Sequence, residues 1–205
     1  MRVALFGGTF DPPHLGHLAI AKAAAQCFSL DTIFFAPAGR QPLKLDSPGA
    51  CFTHRLTMVA LACAGEAGFA VSNLDAPRAD GEPNYTVRTL GLLRELLPEA
   101  TIFGLAGADS FATIAHWREP QRLLELAEWI VVSRPGFPLR EPDDLHLTEQ
   151  QRKRVHLLNS VHEDVAATHL RTRLQAGDPC QDVLPAAVAQ YIQQHDLYAS
   201  SSRST

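Results

Sequence analysis

His14 and His17 stand three residues apart in the run Gly7-Gly8-Thr9-Phe10-Asp11-Pro12-Pro13-His14-Leu15-Gly16-His17, directly after the first apolar segment. At that spacing across a helix start, both imidazoles reach one side. Two imidazoles over a helix N-terminus suit a phosphate whose negative charge grows during displacement. They donate hydrogen bonds without the strong ground-state binding of two lysines. Gly7 and Gly8 carry no Cβ, so a phosphate or ribose can approach the backbone closely. Asp11-Pro12-Pro13 is a rigid turn that keeps the helix from starting early. Taken alone, the pair has a structural alternative, with His14 capping the turn and His17 packed in the helix.

The elements that must position this turn alternate short apolar runs with longer helical patterns, which predicts an α/β fold with a parallel sheet. Residues 3–6 read as a buried strand and 18–28, rich in alanine, as a helix. Further strands are expected at 33–36, 69–72, 101–106, 130–133 and 155–158. Helices are expected at 52–64, 86–97, 168–175 and 186–195. The stretches 38–49 and 135–144 read as loops, and 199–205 as a disordered tail. The expectation is a single domain over 1–198, a Rossmann-like, doubly wound sheet with a small C-terminal helical region from about residue 159. A strand that runs through glycines into a helix places backbone N–H groups at the carboxyl edge of such a sheet, where ligands bind.

Composition narrows the function classes. A net charge of -4 over 205 residues argues against chain-wide attraction to nucleic acid or an anionic membrane. No apolar run approaches the ~20 residues that span a bilayer, and Met1-Arg2 leads into too short an apolar segment for a signal peptide. Cys27, Cys51, Cys63 and Cys180 lack CxxC spacing, so neither a zinc site nor a disulfide framework is indicated, and a reducing cytoplasm is the expected compartment. Cys27 and Cys63 read as small core residues. There is no GxxxxGK[ST], and no GxGxxG follows the first strand. No Ser-His-Asp or Cys-His arrangement is suggested by spacing.

The first-turn run closely resembles the signature of the adenylyltransferases and cytidylyltransferases with a GxFDPxHxGH turn. That resemblance implies in-line attack on the α-phosphate of a nucleoside triphosphate, with loss of pyrophosphate and with His14 and His17 stabilising the α-phosphate. Gly7, Gly8, Thr9 and Phe10 would then contact ATP. An anionic acceptor phosphate needs no general base, so catalysis is mostly positioning and charge stabilisation.

Further segments, spanning nearly the whole chain, resemble the bacterial nicotinate mononucleotide adenylyltransferases. In Pro37-Ala38-Gly39-Arg40-Gln41-Pro42-Leu43-Lys44 the resemblance puts Lys44 near the ATP phosphates; otherwise it is a solvated loop lysine. In His54-Arg55-Leu56-Thr57-Met58, Arg55 is either a phosphate ligand or a helix-surface charge. Pro83-Asn84-Tyr85-Thr86 is similar to the family's Pro-Ser-Tyr-Thr, with asparagine for serine. Helix-start donors at Thr86 favour the carboxylate of nicotinate over the neutral amide, and Tyr85 joins it as a substrate residue. Gly107-Ala108-Asp109-Ser110 follows a strand, with Asp109 either on a ribose hydroxyl or capping a helix. Trp117, in His116-Trp117-Arg118, either stacks on the pyridine ring or belongs to the core. Arg134, in Ser133-Arg134-Pro135-Gly136, meets either a phosphate or an ion-pair partner.

The triphosphate motif departs from its pattern. Where the superfamily usually has Ile-Ser-Ser-Thr-x-Ile-Arg, this chain has Val165-Ala166-Ala167-Thr168-His169-Leu170-Arg171. Thr168 and Arg171 remain as ATP-binding candidates, but two hydroxyls are lost, each worth roughly 0.5–1.5 kcal/mol as a hydrogen bond. The expected reaction joins ATP and nicotinate mononucleotide, with Mg2+ held mainly by the ATP phosphates, in a monomer or homodimer. A non-catalytic nucleotide sensor is the alternative from another class.

Overall fold

The computed structural model describes residues 1–40, 49–133, 147–159 and 167–199. In chain order its elements are β1 (Arg2–Gly8), α1 (Leu15–Phe28), β2 (Thr32–Pro37), α2 (Phe52–Cys63), β3 (Phe69–Val71) and α3 (Thr86–Leu96). Then come β4 (Thr101–Gly107), α4 (Ala108–Ala112), a 3-10 turn (Ile114–His116), α5 (Pro120–Leu126), β5 (Glu128–Val132), α6 (Glu149–Arg152), β6 (Val155–Leu158), α7 (Ala167–Gln175) and α8 (Ala186–Gln194). The strands form one six-stranded sheet in the order β3-β2-β1-β4-β5-β6, and every neighbouring pair is parallel. This is the α/β, Rossmann-like architecture expected from the alternation, because parallel strands require crossover connections and helices supply them.

Both faces of the sheet are covered, so its strands are apolar at nearly every position. Along β1 the side chains alternate. Ala4 and Phe6 join a core with Leu18 and Ala21 of α1, Met58 and Val59 of α2, Leu170 of α7, and Val188 and Ile192 of α8. Val3 and Leu5 join the opposite core with Leu90 and Leu93 of α3, Phe111 of α4 and Leu123 of α5. Chain direction reverses its march across the sheet between β1 and β4. In such sheets the crevice at the carboxyl ends of the two strands is where a ligand fits.

Several local readings change. β5 begins at Glu128, two residues before the expected 130, because Trp129 is 2% exposed and its amide donates to the Arg154 carbonyl. The short helices α4, α5 and α6 were not visible as periodic patterns, since four to seven residues barely complete two turns. Cys63 is buried, and burial pushes its thiol up to about 12. Cys27 is exposed, contrary to the expected core placement. Three-residue steps along a helix drift by about 60° each, so by Cys27 the Leu18-Ala21-Ala24 stripe has turned away from the sheet.

Candidate active site

The carboxyl end of β1 carries the first turn, and contacts from distant parts of the chain hold that turn. Arg55 of α2 is only 6% exposed. Its Nη1 donates to the Thr9 carbonyl at 2.7 Å, Nη2 to Ala38 at 2.8 Å and Nε to Ala50 at 3.1 Å. Burial works against the Arg55 charge, while the nearby Asp11 carboxylate favours it. Arg55 is therefore neither a surface charge nor positioned as a phosphate ligand, because its guanidinium is taken up by three carbonyls. Asp11 is buried too. Its Oδ1 accepts from the Ala50 amide at 3.0 Å and from the Tyr198 hydroxyl at 2.5 Å. A Cβ on Gly49 would sit 1.8 Å from Asp11 Oδ2, so only glycine lets that backbone pass the carboxylate. Arg171 donates from Nη1 to the Asp11 carbonyl at 3.0 Å.

On this held turn the two imidazoles lie together, with ring centroids 3.7 Å apart and planes inclined by 34°. The His14 amide donates to His17 Nδ1 at 3.2 Å. An accepting Nδ1 carries no proton, so in the neutral His17 ring the proton sits on Nε2, which is then a donor. Phe10, expected to contact ATP, is 2% exposed and packs in the core against Phe6 and Phe35, with its ring centroid 4.9 Å from that of His17. Its side chain buttresses the histidine instead of reaching a ligand. The backbone at Phe10 is left-handed there (φ 49°).

Beside this turn, at the junction of β1 and β4, lies a cavity of about 340 Å³. Gly7, Gly8 and Gly107 form its edge, and nothing lies within 4 Å of where a Gly7 Cβ would be. Tyr85 and Thr86, at the start of α3, and Trp117 form a wall. Trp117 is half-buried, with its ring edge against Trp129 and its indole N–H donating to Thr113 Oγ1 at 3.2 Å. It thus serves the core and the cavity at once. Thr86 and Val87, as first-turn residues of α3, have no intrahelical carbonyl for their amides.

The cavity therefore gathers Gly7, Gly8, Gly107, Tyr85, Thr86 and Trp117. His14, His17 and Thr9 lie in the run that continues from Gly8 at its edge, and Arg171 of α7 reaches that run through the Asp11 carbonyl. Asp109 is exposed in the first turn of α4, with Oδ1 folded to within 2.7 Å of a Gly107 Cβ position. Thr168 is exposed in the first turn of α7, and Ala167 opens that helix. Lys44 and Arg134 lie outside the described residues.

Two cavity residues carry charges that the sequence did not assign to the site. Asp75 lines the cavity and accepts from Thr89 Oγ1 at 2.7 Å. Burial pushes its carboxyl above the usual range, held back by that hydrogen bond and by Arg55. Arg118 lines the mouth, with its guanidinium 5.9 Å from the Tyr85 ring centroid. Asp75 follows a three-residue strand in an unpatterned stretch, and only the sheet order brings it to β1. The Asn84 substitution also finds its reason here. Its amide accepts from the Arg40 amide at 2.9 Å and donates to Ala76 at 2.9 Å, a double bridge wider than one serine hydroxyl spans.

Among the described residues, no helix is long and apolar enough to cross a membrane. The cytidylyltransferase-like family model matches residues 5–187. A relative from Roseiflexus sp. (strain RS-1), named a probable nicotinate-nucleotide adenylyltransferase, is 40% identical over 196 residues, covering 96% of this chain and 97% of the relative. One of the same name from Thermus thermophilus is 38% identical over 198 residues, covering 97% of this chain and all of the relative. Among solved structures, the Plasmodium falciparum nicotinic acid mononucleotide adenylyltransferase complexed with NaAD shares the fold. Its TM-score is 0.73 at 18% identity, over 96% of this chain and 97% of that one.

Proposed function

The chain belongs to the cytidylyltransferase-like family and, within it, to the nicotinate-nucleotide adenylyltransferases, and from that premise we propose how its residues carry out adenylyl transfer from ATP to nicotinate mononucleotide. The products are nicotinate adenine dinucleotide and pyrophosphate. The observation that carries the residue assignment is the imidazole pair, 3.7 Å apart on the turn that borders the cavity.

The pyridine ring of the acceptor enters the cavity against Trp117 and Tyr85, and its carboxylate meets the amides at the start of α3, at Thr86. Its phosphate then lies towards Gly7 and Gly8. ATP takes the other side of the turn, with its ribose near Asp109 and its phosphates near Thr168 and Arg171. Lys44 and Arg134 join the phosphate contacts on the strength of the sequence alone. A phosphate oxygen of the acceptor forms the new bond to the α-phosphorus as the bond to the β-phosphate bridging oxygen breaks, and pyrophosphate leaves. The acceptor is already ionised, so no side chain has to remove a proton. His17, with its proton fixed on Nε2, donates to the α-phosphate as its charge grows. His14 packs against that ring and completes the donor surface.

Magnesium, the expected divalent cofactor, supplies charge neutralisation on the leaving phosphates. Among the described residues no group of three or more His, Cys, Asp or Glu is arranged to hold a metal. On this reading the ion would be carried mainly on the ATP phosphates, and no protein side chain is assigned to it. The reading further takes residues 1–198 as one domain. The exposed thiols of Cys27 and Cys51 support a reducing, cytoplasmic setting.

The test is pyrophosphate release by purified protein supplied with ATP, magnesium and nicotinate mononucleotide. Turnover of the acid mononucleotide is expected. Well-folded protein that releases no pyrophosphate with it would end the proposal.

A further inference from the structure

Nicotinate and nicotinamide have nearly the same size and shape, so an aromatic wall cannot separate them. They differ by one negative charge, and selection between them has to come from the electrostatics of the cavity. Two side chains of formal charge line that cavity, Asp75 and Arg118. A cavity holding Asp75 alone would repel the acid and favour the amide, despite the partial positive charge at the start of α3.

We propose that Arg118 is the residue that makes this acceptor site prefer the anionic pyridine carboxylate over the neutral carboxamide. The proposal rests on the adenylyl-transfer reading of the site. Arg118 follows Trp117 directly, so it is tied to the same wall that meets the ring. Its guanidinium lies over Tyr85, the residue that caps α3, which brings it to the side of the cavity where the Thr86 amide opens. An arginine resting over a ring face uses none of its hydrogen-bond donors there, and its planar fork matches a carboxylate. Among the described residues, Arg118 forms no ion pair with a carboxylate. Asp75, by contrast, is engaged from inside the protein by Thr89 Oγ1. With Asp75 ionised, the formal lining charge sums to zero with Arg118 present and to minus one without it. The positive partner is the one exposed at the mouth.

The experiment compares Arg118→Gln and Arg118→Lys with the unsubstituted chain, measuring kcat/KM for nicotinate mononucleotide and nicotinamide mononucleotide at saturating ATP. Arg118→Gln is expected to lower kcat/KM for the acid roughly tenfold, through KM, and to lower that for the amide much less. The acid-to-amide ratio then falls, and Arg118→Lys recovers part of it. Because Arg118 is exposed, thermal unfolding of the variants should match that of the parent. Equal losses with both acceptors would overturn the proposal and place the arginine on their shared phosphate. An unchanged ratio would overturn it as well. An unsubstituted chain that turned over neither acceptor would overturn the transfer reading, and this selectivity with it.

Discussion

Arg171 donates a hydrogen bond from Nη1 to the backbone carbonyl of Asp11, 160 residues earlier, at 3.0 Å. The arginine expected to hold the triphosphate therefore also holds the turn that carries the histidines. Among the described residues, one of its five N–H donors is committed, and it goes to that turn. Under the proposed function, nucleotide binding and histidine placement are linked through one side chain.

For that reason Arg171→Lys should damage both. Lysine keeps the charge but not the fork. We expect KM for ATP to rise about tenfold and kcat to fall as well, so that kcat/KM drops roughly ten- to hundredfold. Initial-rate kinetics with ATP varied will decide this, and a lysine variant with parent-like constants would exclude the double role.

Loss of the His17 ring removes the donor assigned to the α-phosphate. His17→Ala is expected to lower kcat by about 100- to 1000-fold while the melting temperature moves by only a few degrees, since His17 is half-buried at the edge of the core. Full activity in a folded His17→Ala protein would require another source of charge stabilisation.

Arg55 is expected to matter for stability. Arg55→Met leaves the Thr9, Ala38 and Ala50 carbonyls without their donor, at a cost of about 3 kcal/mol or more. Urea unfolding would register this as a lower midpoint. A midpoint unchanged by the substitution would mean that water replaces the guanidinium without loss.

Tyr198 ties the C-terminal segment to the first turn through Asp11 Oδ1. Burial and the charge of Asp11 push its hydroxyl well above the usual tyrosine range, so it remains a neutral donor. Tyr198→Phe leaves the buried carboxylate with the Ala50 amide, which is expected to cost about 2 kcal/mol and to lower the melting temperature by roughly 4–8 °C. A fall in kcat should accompany it, because the histidine turn loses one of its anchors. Calorimetry and initial rates on the same preparation test both parts.

Asp75 sets a pH dependence whose sign follows from its raised carboxyl. Below about pH 4, the ordinary carboxylate range, Asp75 is protonated whether the chain is folded or not, and it carries no penalty. As pH rises past that value the unfolded chain loses its proton first, which favours unfolding. The loss of stability accumulates up to the raised folded value and is constant above it. Asp75→Asn, which keeps an acceptor for Thr89, should remove this decline. Denaturant midpoints measured from pH 3.5 to 7 should diverge between the two proteins as pH rises. Parallel profiles would show that the burial of Asp75 carries no such cost.

Local pattern determined much of this protein before any tertiary structure. The alternation of apolar runs with helical stretches specified a parallel α/β sheet, since backbone periodicity and crossover handedness leave few other arrangements. The Gly7 to His17 run specified a strand-to-helix turn that carries two neighbouring imidazoles, because its glycines, prolines and histidines act within a few residues of one another. Tertiary structure decided what depends on meetings between distant segments. It buried Arg55 among three carbonyls, turned Phe10 into the core, and joined Tyr198 and Arg171 to Asp11. It also brought Asp75 and Arg118 to one cavity. Those meetings follow from the strand order β3-β2-β1-β4-β5-β6. That order is set by how two opposite faces of apolar side chains are buried at once, and no window of neighbouring residues contains it.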